Sequence, residues 1–268
     1  MNLVLQGLNE AQARRFSASP EKISDRAFRI RDARKDPAIE KWCEENRVDF
    51  AWVPERRFAD LKLLAMDMDS TLITIECIDE LGDLAGRKTD IAAITAQAMR
   101  GEIDYPESLR RRVSYLKGLS AFSLETVYVE RLKLTPGAET LLEACKRHGV
   151  KLLLVSGGFT FFTDRLKDRL GIDYTISNRL EIRDGKLTGE VLGDIVDAEA
   201  KARKFLDVMK ELKATKEQSV AIGDGANDLK MMARSGLSVA FHAKPVVRAQ
   251  ADCAITWSGL DAVVNLFD

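Results

Sequence analysis

The sequence predicts an α/β chain: a doubly wound, mostly parallel sheet, interrupted by an all-helical insertion and preceded by a small α+β appendage. Three observations carry that expectation. From residue 62 onward, short apolar runs of strand length alternate with stretches of helical period, the pattern of a parallel sheet covered on both faces. Three of those runs, 62–66, 150–155 and 219–222, end in small or acidic clusters, as strands do when their carboxyl ends meet at a ligand cleft. Directly after the first run, residues 74–133 show helical periodicity and almost no strand signal.

The bulk numbers set limits. Of 268 residues, 46% are hydrophobic and 31% charged, an ordinary balance for a globular chain with a substantial core. The net charge is −1 with both signs mixed along the chain, so no nucleic-acid partner is expected. Arg110-Arg111-Arg112 reads as one helix face plus one functional residue. The four cysteines, Cys43, Cys77, Cys145 and Cys253, form no C-x-x-C pair. Reduced thiols in a cytoplasmic protein are expected rather than a zinc site. Residues 1–7 lack the basic start and the apolar length of a signal peptide. No apolar stretch approaches the roughly 20 residues that span a bilayer, so no membrane partner is expected. His148, before Gly149, and His242, after an apolar run, read as structural. Acid–base chemistry then falls mainly to carboxylates or lysine.

The elements follow in order. Residues 1–60 form the appendage, with short strands at 4–8 and 50–53 and a helix at 37–45, capped by Asp36 with Pro37 at its first position. The catalytic core comprises 61–73 and 134–268, opened by the strand 62–66. Between its two parts, 74–133 hold four helices in succession, read as a four-helix-bundle cap. Apolar spacings of three and four mark them: Ile78, Leu81 and Leu84; Ile91, Ile94, Ala98 and Met99; Leu109, Val113 and Leu116; Leu124, Val127 and Leu132. Thr135-Pro136-Gly137 opens a helix that Gly149 closes. A strand at 150–155 ends in Ser156-Gly157-Gly158, and a helix runs over 159–170. After a short strand at 173–177, alternating residues on either side of Asp184-Gly185 predict a hairpin. A helix at 198–212 precedes the strand 219–222, which ends in Gly223-Asp224-Gly225-Ala226-Asn227-Asp228. Strand and helix then alternate to the end.

The chemistry starts at Asp67-Met68-Asp69-Ser70-Thr71. In an extended chain residues i and i+2 share one side, so both acids face one cleft. Two such carboxylates repel unless a cation or a shared proton intervenes. The stretch also reads as a strand running into an acidic turn, since Asp and Ser are ordinary turn residues. Convergence of Asp67/Asp69, Ser156/Gly157 and Asp224/Asn227/Asp228 at one sheet edge favours a site. Hard oxygen ligands such as Asp67 and Asp224 suit Mg²⁺, and one acid can attack phosphorus. Free N–H groups where a loop opens into a helix suit a phosphoryl anion. Lys201, near a helix start, is the best-placed cation, although taken singly it is one surface lysine among many.

These segments resemble the four motifs of the haloacid-dehalogenase (HAD) superfamily: the D-x-D-x-T pattern at Asp67–Thr71, Ser156-Gly157-Gly158, Lys201, and Gly223 to Asp228, in the right order. The resemblance covers residues 62–267 and implies a Rossmann-like, HAD-like core. Within the superfamily the chain most resembles the phosphoserine phosphatases, through Glu76, Ser108-Leu109-Arg110-Arg111-Arg112-Val113, Asn178-Arg179-Leu180 and Asp184-Gly185-Lys186-Leu187-Thr188-Gly189. What it implies is a Mg²⁺-dependent hydrolysis of O-phosphoserine, the last step of serine biosynthesis, through an aspartyl phosphate. Asp67 is then the nucleophile and Asp69 the proton donor. Mg²⁺ is held by Asp67, Asp224 and the main-chain carbonyl of Asp69. Ser156, Gly157, Lys201 and Asn227 bind the phosphoryl group, with Asp228 in support. In the cap, Glu76 takes the substrate ammonium and Arg112 its carboxylate, and Met99 and Tyr105 wall the pocket. Many relatives carry an N-terminal ligand-binding domain of the ACT type, with βαββαβ topology. Residues 1–60 look too short for a complete one.

Two other readings stand beside this one. The same aspartyl phosphate can pass its phosphoryl group to another alcohol such as homoserine, or serve another small-molecule phosphatase. A phosphate-switched binding module also phosphorylates an aspartate beside Mg²⁺, but needs neither a helical cap nor Asp69. The partner expected is a small molecule, and the assembly a monomer or homodimer.

Overall fold

The computed structural model describes all 268 residues. Its strands fall into two sheets. The first four strands, β1 (Asn2–Gln6), β2 (Glu21–Ser24), β3 (Ala27–Ile30) and β4 (Asp49–Val53), pair in the order β2-β3-β1-β4. The other seven are β5 (Leu63–Asp67), β6 (Lys151–Phe159), β7 (Tyr174–Arg183), β8 (Lys186–Leu192), β9 (Ser219–Gly223), β10 (Leu237–Phe241) and β11 (Cys253–Ile255). They pair in the order β11-β10-β9-β5-β6-β7-β8, and only β8 runs antiparallel to its neighbour. The chain builds outward from β5 to one side, then crosses back and builds from β9 to the other. The order reverses between β5 and β9, where open α/β sheets bind ligands.

Alternation explains why this sheet is covered on both faces. Leu64 and Met66 of β5 share one apolar cluster with Leu152, Leu154, Val220, Ile222, Val239 and Phe241. Leu63 and Ala65 share the opposite cluster with Leu153, Val155, Ala221 and Ala240. Successive side chains point to opposite faces, so a strand buried on both faces must be apolar throughout. The helix Ala138–His148 covers the first face through Leu141, Leu142 and Cys145. The helix Ala198–Glu211 covers the second through Phe205, Val208 and Met209.

Between β5 and β6 lie the helices Cys77–Leu84, Lys88–Met99, Tyr105–Ser114 and Phe122–Thr126, the last running on as a wider turn over Val127–Arg131. Leu81, Ile91, Leu109, Val113 and Leu124 turn inward and join the larger apolar cluster. The segment leaves and rejoins the core at one place, where Ile73 and Leu134 form an antiparallel bridge. The backbone of 118–121 also bonds to the β7–β8 hairpin, through Gly118 N–H to Leu187 O and Ala121 N–H to Gly185 O, both at 2.8 Å.

The N-terminal segment corrects the sequence reading. Its order is β1, helix Glu10–Ala13, β2, β3, helix Pro37–Glu45, β4, a complete βαββαβ unit. It fits because its strands have four or five residues and its first helix only four. This unit is fastened to the core. The Asp49 carboxylate accepts the backbone N–H groups of Thr256, Trp257 and Ser258 at 2.6, 3.1 and 2.8 Å. The buried Arg29 guanidinium pairs with Asp268 and donates to Asn265 O at 3.0 Å and Phe267 O at 2.6 Å.

Two further differences bear on the site. β6 does not stop at Val155 but continues through Ser156-Gly157-Gly158 to Phe159, with a register shift against β7 over that stretch. β7 is one strand from Tyr174 to Arg183, not a short strand followed by a separate hairpin arm. Asn178, a residue poor in strand propensity, lies in its middle because its side chain has partners on both sides.

Candidate active site

The three strand ends meet at the switch point. β5 delivers Asp67 and then turns sharply. Ser70 takes the left-handed region at φ 55°, and its N–H reaches Ile75 O at 3.2 Å. That reversal leaves Asp69 facing back into the cleft, its Oδ1 accepting the Cys77 N–H at 3.1 Å. Lys201 arrives in the first turn of the helix Ala198–Glu211, which Asp197 caps by accepting the Ala200 N–H at 2.8 Å. The Lys201 ammonium donates to Asp67 Oδ1 at 2.7 Å and to Asp228 Oδ1 at 2.8 Å. Asp228 Oδ2 accepts the Gly225 N–H at 3.1 Å, which fixes the loop after β9.

The electrostatics are those of an acid cluster short of cations. Burial raises Asp67 well above the carboxylate range, with Asp228 adding to it and Lys201 opposing. Burial, Asp228 and Glu76 together push Asp224 up to about 7. Burial alone favours the neutral amine of Lys201, but Asp228 and Asp67 outweigh it and hold the ammonium charged. Burial and Glu76 push Asp69 up to about 7, offset in part by the Cys77 N–H. A carboxyl in that range carries a proton for part of the time at neutral pH, as a general acid requires. Asp67, Asp224 and Asp228 each offer an oxygen within 4.8 Å of the others. Hard oxygen donors with uncompensated charge are the donor set of a hard divalent cation, so the cluster can hold a metal ion.

The cap closes the other side. A cavity of about 440 Å³ runs from Asp67, Asp69, Asp224 and Asn227 on the core to Glu76, Met99, Tyr105 and Arg112 on the cap. Glu76 Oε1 accepts the Ser70 hydroxyl at 2.8 Å. Arg112 bonds within the protein through Nε to Ser108 O at 3.4 Å, which leaves its Nη groups free. Gly157 and Gly158 line the cavity, and Ser156, Lys201 and Asp228 are wholly buried. Met99, 63% exposed, stands at the rim. Gly158 is glycine for want of room: a Cβ there would lie 2.7 Å from Asp69 Oδ2.

Sequence reasoning assigned no side-chain role to three participants. Ser70 reads in the sequence as an ordinary turn residue, yet its hydroxyl holds Glu76. Asn178 bridges Gly157 O, through Nδ2 at 2.8 Å, and the Val196 N–H, through Oδ1 at 2.8 Å. In the sequence it stood in the string Asn178-Arg179-Leu180, with no role attached to its side chain. Lys244 lines the cavity from the loop after β10 and lies in no motif that would have marked it. The histidines lie elsewhere: His148 packs against Phe58, and His242 Nε2 meets Ser258 O at 2.9 Å.

Known proteins share this arrangement. The sequence pattern of the haloacid dehalogenase-like hydrolases matches residues 64–233. A phosphoserine phosphatase of Polaromonas sp. is 58% identical over 218 residues, which cover 80% of this chain and 92% of its own. One of Albidiferax ferrireducens is 53% identical over 221 residues, covering 81% of this chain and 93% of its own. The crystal structure of a probable phosphoserine phosphatase from Vibrio cholerae, in unliganded form, superimposes with a TM-score of 0.87 at 39% identity. That likeness covers 99% of this chain and 85% of the other, and so takes in the N-terminal unit. With a parallel core, an inserted helical cap and an acid cluster between them, the chain belongs to the haloacid dehalogenase-like hydrolases and, within them, to the phosphoserine phosphatases.

Proposed function

We propose that the protein hydrolyses O-phosphoserine to serine and phosphate, with Mg²⁺ as its metal and Asp67 as the carrier of the phosphoryl group. The observation that carries this reading is the placement of Glu76 and Arg112 across one cavity from the acid cluster. Phosphoserine is a phosphomonoester at one end and a zwitterion at the other. Glu76 suits the ammonium, and the free Nη fork of Arg112 suits the carboxylate.

The bond changes run in two steps. Asp67, held by Lys201, forms a bond to phosphorus as the bond to the serine oxygen breaks. Asp69 gives its proton to that leaving oxygen. Asp69 then takes a proton from water, whose oxygen attacks phosphorus and displaces the Asp67 carboxylate, leaving phosphate. The Ser156 hydroxyl, the Gly157 N–H and Lys201 hold the phosphoryl oxygens, and Asn227 contacts the same end. Asp228 keeps Lys201 in place. Asp67, Asp224 and the Asp69 carbonyl would hold Mg²⁺, which supplies the positive charge that lets a carboxylate approach a phosphate dianion. The cap excludes water while the substrate is bound. Four free, buried cysteines suit the reducing cytoplasm, where we place the protein.

The test is phosphate release from O-phospho-L-serine, with and without Mg²⁺, by the wild type and Asp67→Asn. Metal-dependent turnover that the substitution abolishes is expected; undiminished activity of the variant would remove Asp67 from the nucleophile's role.

A further inference from the structure

Tyr105 does more than wall the cavity: we propose that its hydroxyl latches the cap to the Ser156-Gly157-Gly158 end of β6 and sets the Ser156 hydroxyl for the phosphoryl group, which makes it a positioning residue. The proposal rests on the site assignment above and deepens it. Tyr105 opens the cap helix Tyr105–Ser114, whose start is fixed by Asp104 accepting the Glu107 N–H at 2.8 Å and by Pro106 in the first turn. From there its hydroxyl crosses to the core and donates to Gly157 O at 3.0 Å.

That carbonyl belongs to a peptide held at both ends. Asn178 Nδ2, from β7, donates to the same oxygen at 2.8 Å. At the far side of the peptide, the Gly158 N–H donates to Ser156 Oγ at 2.8 Å. Ser156 Oγ therefore spends a lone pair on the backbone and keeps its own proton for a phosphoryl oxygen. A donor placed on a peptide carbonyl strengthens the donating power of the N–H attached to it. Tyr105 thus acts on Ser156 through one peptide plane. Asn178 sits on the core sheet and holds the carbonyl whether the cap is open or closed; Tyr105 sits on the cap and holds it only when closed. The serine is fully aligned only under a shut cap.

The seat for the hydroxyl is written into the sequence. Gly157 has an ordinary backbone, outside the left-handed region, so its conformation does not require glycine. A Cβ there would fall 2.1 Å from the Tyr105 hydroxyl. Burial pushes Tyr105 up to about 12, so the group stays protonated and remains a donor across neutral pH.

A double-mutant cycle tests the latch. Tyr105→Phe keeps the ring and loses only the hydroxyl. Steady-state kinetics of Tyr105→Phe, Ser156→Ala and the double variant are read on O-phospho-L-serine and on p-nitrophenyl phosphate. Tyr105→Phe should lower kcat roughly 3- to 10-fold, the worth of one neutral hydrogen bond. KM for phosphoserine should move by less than about twofold, because the lost interaction does not touch substrate. In the Ser156→Ala background the same substitution should change nothing further. Unchanged kcat in Tyr105→Phe, or losses that simply add in the double variant, would overturn the latch. An enzyme that turns over the aryl ester but not phosphoserine would refute the substrate assignment instead. The cycle read on the aryl ester then still decides the latch, coupled losses supporting it and additive ones ending it.

Discussion

Replacing Arg112 with alanine tests the proposed recognition of the substrate's amino-acid end apart from phosphoryl chemistry. Arg112 stands on the cap helix Tyr105–Ser114, half-buried on the cavity wall, with its Nη groups unused by the protein. A bidentate pair with a carboxylate comprises two charge-assisted hydrogen bonds, each about 1.5–3 kcal/mol. Partial exposure lets water replace part of that interaction, so about 3 kcal/mol in all is a reasonable figure. At 1.36 kcal/mol per factor of ten, kcat/KM for O-phospho-L-serine should fall on the order of 100-fold. p-Nitrophenyl phosphate has no carboxylate, and its kcat/KM should change by less than about threefold. Arg112→Lys restores charge but not the planar fork and should recover only part of the loss. The assay is initial-rate phosphate release over a concentration series for both esters. Equal losses on the two would mean that Arg112 does not read the carboxylate.

Three more expectations follow from charge and burial. Burial raises Glu76 above the ordinary 4.5, with Asp79 adding to it and the Ser70 hydroxyl and Arg112 opposing. Its charge is therefore lost earlier than an ordinary glutamate's as pH falls, so KM for phosphoserine should climb on the acid side, and in Glu76→Gln it should be high at neutral pH and climb less. A KM profile between about pH 8 and 5 checks this, and an unaltered profile in the variant would clear Glu76 of ammonium binding. Lys201→Met leaves the buried carboxylates of Asp67 and Asp228 without their shared cation. It should abolish turnover and cost about 3–5 kcal/mol in a denaturant titration, where a loss under about 1 kcal/mol would contradict the buried-pair account. Asp49→Ala frees three backbone N–H groups at 256–258. It should lower stability by about 2–3 kcal/mol, given partial rescue by water, with kcat/KM unchanged; an altered kcat/KM would mean that the N-terminal unit reaches the site.

The residues legible in the sequence were those whose chemistry sits in short contiguous strings. Asp67/Asp69, Ser156-Gly157-Gly158 and the Asp224–Asp228 cluster each come at the end of an apolar run, so a sheet-edge argument gathers them with no knowledge of side-chain contacts. Lys201, a lone lysine on a helix, gains meaning only from Asp67 and Asp228, which come from far away in the chain. Glu76, the extended residue just before a cap helix, and Arg112, on another, are lone charges in the pattern, and only resemblance marked them. The N-terminal unit was under-read for a different reason. β2 and β3 have four residues each, with Glu21, Lys22 and Arg29 among them, too short and too charged for periodicity to separate from a loop. The continuation of β6 through two glycines was hidden because glycine weakens a strand by composition, while here it makes room for Tyr105 and Asp69.

The position of β5 has a bearing on biogenesis. It is an early strand of the core, yet it lies between β6 and β9, and Lys201 is 134 residues from Asp67. A chain emerging from the ribosome therefore exposes an apolar strand with no neighbour until β6 is made, and with one bare edge until β9 is made. Contacts of such long range form late, and bare apolar edges invite association with other chains. Asp224 and Asp228, which complete the acid cluster with Asp67, follow β9 and so arrive only once both edges of β5 can be paired. Incomplete chains thus carry the aggregation risk of the central strand without the chemistry at its end.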